Sequence, residues 1–351
     1  MENVQVVPQP VTQLPELLLP WYAANARDLP WRHDREPYHV WLSEIMLQQT
    51  RVEAVKGYYA RFLEACPDIQ TLAAAPEDRL NKLWQGLGYY SRVRNLQKAA
   101  QVICREHKGI FPQDFESIRR LPGIGPYTAG AIASICFEQP RPAVDGNVLR
   151  VLTRLLADPT PIEQPAFRRR ITDMLAAVYP AGQCGAFTQS LMELGAIVCL
   201  PNGAPLCDRC PLQNICQANL KQDQRSYPAR APKTPRRREE KTVFIFRYDD
   251  CEAVEKRPSQ GLLAGLWQYP NIEGTLTPAQ AISQAEEWGV RPAALIKKVT
   301  RSHIFTHITW EMTAYYFQCN AMPDRFTWAD HTQMQTEIAL PTAFRIFLDE
   351  P

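Results

Sequence analysis

Long apolar runs are missing from this sequence. None of its 351 residues sits in a stretch long enough to cross a bilayer, and the apolar residues 17–19 are closed off by Pro20 with no basic segment before them. Neither a membrane span nor a secretion signal is expected. Charge of one sign is missing as well, since 39 Lys and Arg face 37 Asp and Glu. No whole-molecule field can draw the chain to a polyanion, so affinity for nucleic acid has to come from local clusters and helix ends. Internal repeats are absent. What is present is a globular composition: 45% hydrophobic residues over 351 positions imply two or more domains, each with its own core. Ten cysteines without a secretion signal read as reduced thiols and place the chain in the cytoplasm, nucleoid included.

The texture changes along the chain. Over residues 21–220 apolar side chains recur at helical spacing, as in Val148, Leu149, Leu152, Leu155 and Leu156, and strand signals are scarce. Residues 225–238 carry Arg225, Arg230, Lys233, Arg236, Arg237 and Arg238 among three prolines and read as a solvated linker. Beyond it, residues 242–248 and 309–317 have β-rich composition, while residues 278–288 have the spacing of an amphipathic helix. The expected organisation is multidomain: an all-α domain over 1–224, a basic linker over 225–240 and a mixed α/β domain over 241–351.

Residues 114–120 read as a short helix, and Leu121-Pro122-Gly123-Ile124-Gly125 as a tight turn into a second helix beginning near Pro126. Such a turn presents backbone N–H groups at the positive end of a helix dipole, which can hold a phosphate without side chains. This is the pattern of a helix-hairpin-helix that grips DNA regardless of sequence, with Gly123 and Gly125 at its tip. An ordinary glycine turn between packed helices is the alternative. A dinucleotide fingerprint is excluded, because the spacing differs and no strand precedes it.

Two carboxylates stand out. Glu44 lies in an expected helix with Val40 and Trp41 one turn before it and Leu47 after it, so burial would favour the protonated acid. Asp145 directly precedes a helical run, where backbone N–H groups would favour the anion. One neutral acid and one charged carboxylate are what cleavage of a glycosidic bond requires. Each taken alone has a plainer reading, a surface glutamate and a helix cap.

Cys199, Cys207, Cys210 and Cys216 follow one another with seven, two and five residues between them, within reach of one metal centre. Only Cys207 and Cys210 form a close pair, whereas zinc ribbons use two such pairs; the staggered spacing suits a [4Fe-4S] cube better, with zinc as the alternative.

Together these residues resemble the iron–sulfur branch of the helix-hairpin-helix DNA glycosylases, and specifically the MutY-type adenine glycosylases. The likeness also rests on Asp28-Leu29-Pro30-Trp31-Arg32, on residues 40–50 from Val40 to Thr50, on residues 85–92 from Gln85 to Arg92 and on Val144-Asp145-Gly146-Asn147, and spans nearly the whole chain. It implies a monomeric enzyme acting on double-stranded DNA in which adenine opposite 8-oxoguanine or guanine is flipped out and excised. On that likeness Glu44 protonates the base and later assists water, Asp145 stabilises the cationic sugar, and Tyr127 and Asn147 support them. The related endonuclease III type has a lysine at the position of Tyr127; a tyrosine cannot form an imine, so base removal without strand cleavage is implied. Gln49, Leu87 and Tyr89 are implied to wedge into the duplex and Arg32 to contact the base region. The C-terminal domain resembles a Nudix-like module in which Phe305-Thr306-His307 reads 8-oxoguanine, Thr306 through its hydroxyl. Glu286-Glu287-Trp288-Gly289 keeps only a fragment of the acidic cluster of true Nudix hydrolases, so pyrophosphate hydrolysis is not expected. The seven residues between Cys199 and Cys207 are one more than that family usually has.

Overall fold

The computed structural model of the chain describes residues 7–232 and 235–348, and the chain divides into two compact units. One comprises Met1–Ala74 and Asn95–Pro232, the other Ala75–Arg94 and Lys233–Pro351. No helix among the described residues is long and apolar enough to cross a membrane.

The first unit is helical. Its helices begin earlier than the apolar spacing suggests: Leu14–Asn25 runs through Pro20. An internal proline costs a helix about 3 kcal/mol, but Val11, Leu14 and Leu18 are fully buried in one cluster with Val148, Leu152, Phe187 and Leu191. The two of these in the same helix, Leu14 and Leu18, at about 1.5–3 kcal/mol each, match or outweigh the proline. The same cluster encloses helix Gly146–Leu156 and so fixes the element that begins at Asp145.

The hairpin is formed where the turn chemistry places it. Asp114 caps helix Phe115–Arg120, accepting from the Ser117 amide at 2.9 Å. Leu121 and Ile124 are buried, Gly123 adopts a left-handed φ of 75°, and helix Pro126–Phe137 opens on its proline. A side chain at position 123 would also collide with Asn95, whose Cβ would lie 2.5 Å from the added carbon.

The second unit is built on a seven-stranded mixed sheet of β1 (Arg237–Tyr248), β2 (Cys251–Lys256), β3 (Trp267–Gln268), β4 (Asn271–Glu273), β5 (Pro292–Ile304), β6 (Ile308–Cys319) and β7 (Thr327–Asp330). The order is β3-β2-β1-β6-β5, with β4 on β1 and β7 on β2. The central β1–β6 pair is parallel and buried on both faces, as parallel pairs usually are. Val243 and Ile245 join a cluster with Tyr269 and Tyr316; Phe244 and Phe246 join one with Tyr315, Phe317 and the helix residues Ala281 and Ala285. That alternation is the two-residue period of a strand. Helix Pro278–Glu287 starts at a Thr277/Gln280 capping box.

β1 begins at Arg237, four positions before the boundary read near Lys241, and so takes in the last two arginines of the basic stretch. Pairing with β6 uses main-chain groups, which leaves the Arg237 side chain in solvent while Glu239 accepts the Trp310 indole N–H at 2.8 Å and Lys241 lies over that ring at 4.8 Å. Lys233 and Thr234 lie outside the described residues.

Candidate active site

Glu44 comes from helix Pro37–Leu47, whose sequence is apolar on nearly every side, and the carboxyl is carried inside with it at 6% exposure. Tyr127, in the first turn of the helix that follows the hairpin, donates its hydroxyl to Glu44 Oε2 at 2.5 Å. Burial raises the Glu44 carboxyl to about 7; the Tyr127 hydrogen bond and Arg32 restrain the rise, and repulsion from Asp145 adds to it. Burial and the two neighbouring carboxyls push the Tyr127 hydroxyl strongly upward, so the phenol stays protonated.

Asp145 is the cap of helix Gly146–Leu156: Oδ1 accepts the Val148 amide at 2.7 Å and Oδ2 accepts the Asn147 side-chain amide at 2.9 Å. Burial raises its carboxyl, and the bonds from Val148 and Asn147 with the Arg150 charge oppose that, leaving a net upward direction. The capping expected from the sequence is present, but burial works against the anion. Asn147 is held in turn, its Oδ1 accepting from Arg150 Nη2 at 2.8 Å, while the same guanidinium donates to the Gly195 and Cys199 carbonyls at 2.8 Å. Residue 195 has to be glycine for this approach, because a Cβ there would lie 2.6 Å from Asn147 Cβ.

Glu44, Tyr127, Asp145, Asn147, Arg32 and Gln49 line one cavity of about 630 Å³, ample for an extruded nucleoside. Arg32 Nη2 donates to Glu193 at 2.8 Å, and Arg27 grips the same carboxylate from the other side at 2.7 and 2.8 Å. Burial would raise Glu193, yet the hydrogen bonds from Arg27 and Arg32 hold it at about 2. Arg32 thus forms part of the wall as half of a buried ion pair. Gln49 sits at the cavity in a left-handed conformation, φ 59°.

The sequence reading missed Glu193, Arg150, Arg27 and Arg168, the last of which lines the same cavity and donates to the Val144 carbonyl next to Asp145 at 2.5 Å. The first two carried no signal in the helical spacing: Arg150 shares its face with Asn147, Thr153 and Arg154, and Glu193 follows Gln189 and Ser190 by one turn. Arg27 and Arg168 had none that sequence carries.

Gly123 and Gly125 stand exposed at the hairpin tip just before Tyr127. Leu87 and Tyr89, expected in the helical domain, belong to the second unit, which also holds Thr306 and His307 as expected. Leu87 is buried at 6% exposure, whereas Tyr89 is 46% exposed and left-handed. Thr306 and His307 are exposed in the loop between β5 and β6, and the Thr306 and Tyr89 hydroxyls meet at 2.8 Å.

Cys199, Cys207, Cys210 and Cys216 line a single small cavity with Val151, Leu155, Leu194 and Leu212. Cys207 opens the turn Cys207–Arg209, Cys210 closes it, and Cys216 precedes helix Gln217–Leu220. Arg154 Nη1 approaches Cys199 Sγ at 3.2 Å. Four sulfurs round one apolar-walled space with a cation beside them fit the thiolate donor set of an iron–sulfur cube. Among the described residues no three His, Cys, Asp or Glu side chains converge tightly enough to hold a single metal ion.

Residues 42–174 match the HhH-GPD superfamily of base excision DNA repair proteins, and residues 242–350 match the NUDIX domain. The adenine DNA glycosylase of Mus musculus is 34% identical over 97% of this chain and 78% of its own length. That of Buchnera aphidicola from Acyrthosiphon pisum is 35% identical over 74% of both. The chain belongs to the adenine DNA glycosylase family. It is accordingly a DNA glycosylase of base excision repair. Among solved structures a thermostable thymine-DNA glycosylase is 27% identical, with a TM-score of 0.56 over 61% of this chain and 98% of that one. An endonuclease III–DNA complex, 23% identical with a TM-score of 0.53 over 62% and 99%, shares the helical fold. The match over residues 42–174 contains Glu44, Gly123, Gly125, Tyr127, Asp145 and Asn147; the NUDIX match contains Thr306 and His307.

Proposed function

We propose that the enzyme hydrolyses the N-glycosidic bond of adenine paired with 8-oxoguanine or guanine in double-stranded DNA and leaves an abasic site. The observation that carries this reading is the Tyr127–Glu44 hydrogen bond beside the capped Asp145 in a cavity large enough for a nucleoside. Glu44, raised to about 7, has the proton to give. Asp145 accepts a main-chain amide and a side-chain amide where Glu44 accepts a single phenol, so of the two it is the better anion. Glu44 passes its proton to a ring nitrogen of the extruded adenine; the bond from C1′ breaks with its electron pair leaving on the base. Asp145 faces the cationic sugar that results. A water adds to C1′, and the Glu44 carboxylate takes up the proton that this water loses, which restores the acid.

Tyr127 orients the Glu44 carboxyl and offers no amine for an imine, so the strand stays intact. Gly123 and Gly125 present hairpin amides to a phosphate, and Tyr89 and Gln49 enter the duplex at the flipped nucleotide. Thr306 and His307 contact the base opposite adenine, with the Thr306 hydroxyl bonding 8-oxoguanine. Cys199, Cys207, Cys210 and Cys216 would hold a [4Fe-4S] cluster, which when bound supplies a rigid cross-link of the loop and a one-electron couple. Duplex DNA in the nucleoid is the partner, and the protein works as a monomer.

Purified protein given duplexes with adenine opposite 8-oxoguanine and opposite guanine should release adenine and yield strand breaks only after alkali. Breaks without alkali would reject the monofunctional mechanism, and release of a different base would reject the substrate.

A further inference from the structure

The stretch over residues 82–94 is tied at both ends to main-chain carbonyls of the C-terminal fold, within one compact unit. At its start Lys82 Nζ donates to the Met334 and Ile338 carbonyls at 3.1 and 2.9 Å, and Gln85 Nε2 donates to the Leu340 carbonyl at 2.9 Å. At its end Arg94 Nη1 donates to the Ala264 carbonyl at 2.5 Å. Between the anchors lies the turn that carries Tyr89. That turn is internally braced: Trp84 Nε1 donates to the Gly88 carbonyl at 3.0 Å, and Arg92 Nη2 donates to the Leu87 and Gly88 carbonyls at 2.9 and 3.1 Å. The Arg92 guanidinium also lies over the Trp84 and Tyr89 rings at 5.2 and 5.7 Å. A braced turn moves as one body, so the place of Tyr89 follows from its anchors. The hydroxyl that results from this placement stands 2.8 Å from that of Thr306. Burial, with Arg345 nearby, lowers the Lys82 ammonium to about 8, the direction of a desolvated cation.

We propose that Lys82, Gln85 and Arg94 are positioning residues that latch the Tyr89 turn against Thr306, and that discrimination between 8-oxoguanine and guanine opposite adenine depends on this latch. None of the three lines the catalytic cavity. The proposal rests on the reading that Thr306 senses the partner base.

The test uses the full chain carrying Lys82→Met, Arg94→Met or both, with adenine release measured in single turnovers on duplexes bearing 8-oxoguanine or guanine opposite adenine. The ratio of the two rates should fall roughly tenfold or more in Lys82→Met, tenfold being the low end for a single hydrogen bond from a charged donor, while the rate opposite guanine stays at the wild-type level. Lys82→Arg, which still donates to both carbonyls, should restore the ratio. An unchanged ratio in the folded double variant overturns the latch, and so does an equal loss on both duplexes, which is the mark of a merely structural role. If Lys82→Met fails to melt cooperatively, Gln85→Ala removes one anchor alone, and an unchanged ratio there has the same force. A wild-type protein that treats both duplexes alike overturns the reading of the partner base itself, a result visible before any variant is made.

Discussion

Glu44 carries two consequences of one environment. Because its carboxyl is raised from 4.5 to about 7, the protonated form that a general acid needs prevails below neutrality, and turnover should fall as pH rises through about 7. The same shift bears on stability. A raised folded-state pKa means that the folded chain favours the neutral carboxyl; the benefit is complete below the ordinary value of 4.5 and is lost as pH rises through about 7. Glu44→Gln should therefore abolish adenine release and raise the melting temperature at pH above 8, by a stabilisation on the order of 2–3 kcal/mol, with little change at pH near 4.5. Thermal melts of both proteins across that range check the sign; a variant less stable than wild type at alkaline pH would contradict the burial argument. Gly195→Ala tests the other carboxylate from a distance. A Cβ placed 2.6 Å from Asn147 Cβ has to move Asn147, which takes the side-chain amide from Asp145. The expected result is a loss of kcat with KM little changed, and about 1–3 kcal/mol of stability lost to overpacking. Normal kcat in that variant would separate Asn147 from the reaction.

Among the elements, the hairpin was the most legible, because its chemistry is local: a short helical run, a glycine turn and a proline at the first helical position announce themselves within thirteen residues of sequence, the structure adding only that Asp114 is the cap. β5 was not legible. Its exposed positions include Lys298 and Arg301, and as the last strand of the sheet it needs a partner on one side only, so the β-rich composition that marks β6 is absent. Nor could the sequence show that Glu193 and Arg150 turn inward, since nothing in the helical spacing names the ion pair or the carbonyls that make a buried charge tolerable there. The hairpin admits a direct test. Gly123→Ala puts a side chain at a φ of 75° and against Asn95, a strain of roughly 1–3 kcal/mol. DNA affinity should drop by a similar factor for matched and mismatched duplexes, because phosphate contacts carry no sequence information, and the slope of log affinity against log salt should flatten. A drop confined to mismatched duplexes would assign the turn to lesion reading instead.

At the scale of the whole molecule, the function proposed above assigns two tasks to the two compact units. Glu44, Tyr127, Asp145 and Asn147 lie in the first, and Tyr89 and Thr306 in the second. If that division is functional, variants in the two should fail in opposite ways. Asp145→Asn leaves the cap, the cavity wall and the second unit in place, so the protein should still bind a duplex with 8-oxoguanine opposite adenine more tightly than one with guanine, yet release adenine from neither. Thr306→Ala removes a hydroxyl and its contact with Tyr89 while leaving the cavity untouched. Its rate opposite guanine should match that of the wild type, and its rate opposite 8-oxoguanine should fall toward it by roughly the tenfold that one well-placed hydrogen bond to a buried partner commands. Binding titrations and single-turnover rates on the same pair of duplexes measure both. Loss of the binding preference in Asp145→Asn, or an equal slowing on both duplexes in Thr306→Ala, would mean that partner reading and bond cleavage are not divided between the units, because a residue of one would then be setting the property ascribed to the other.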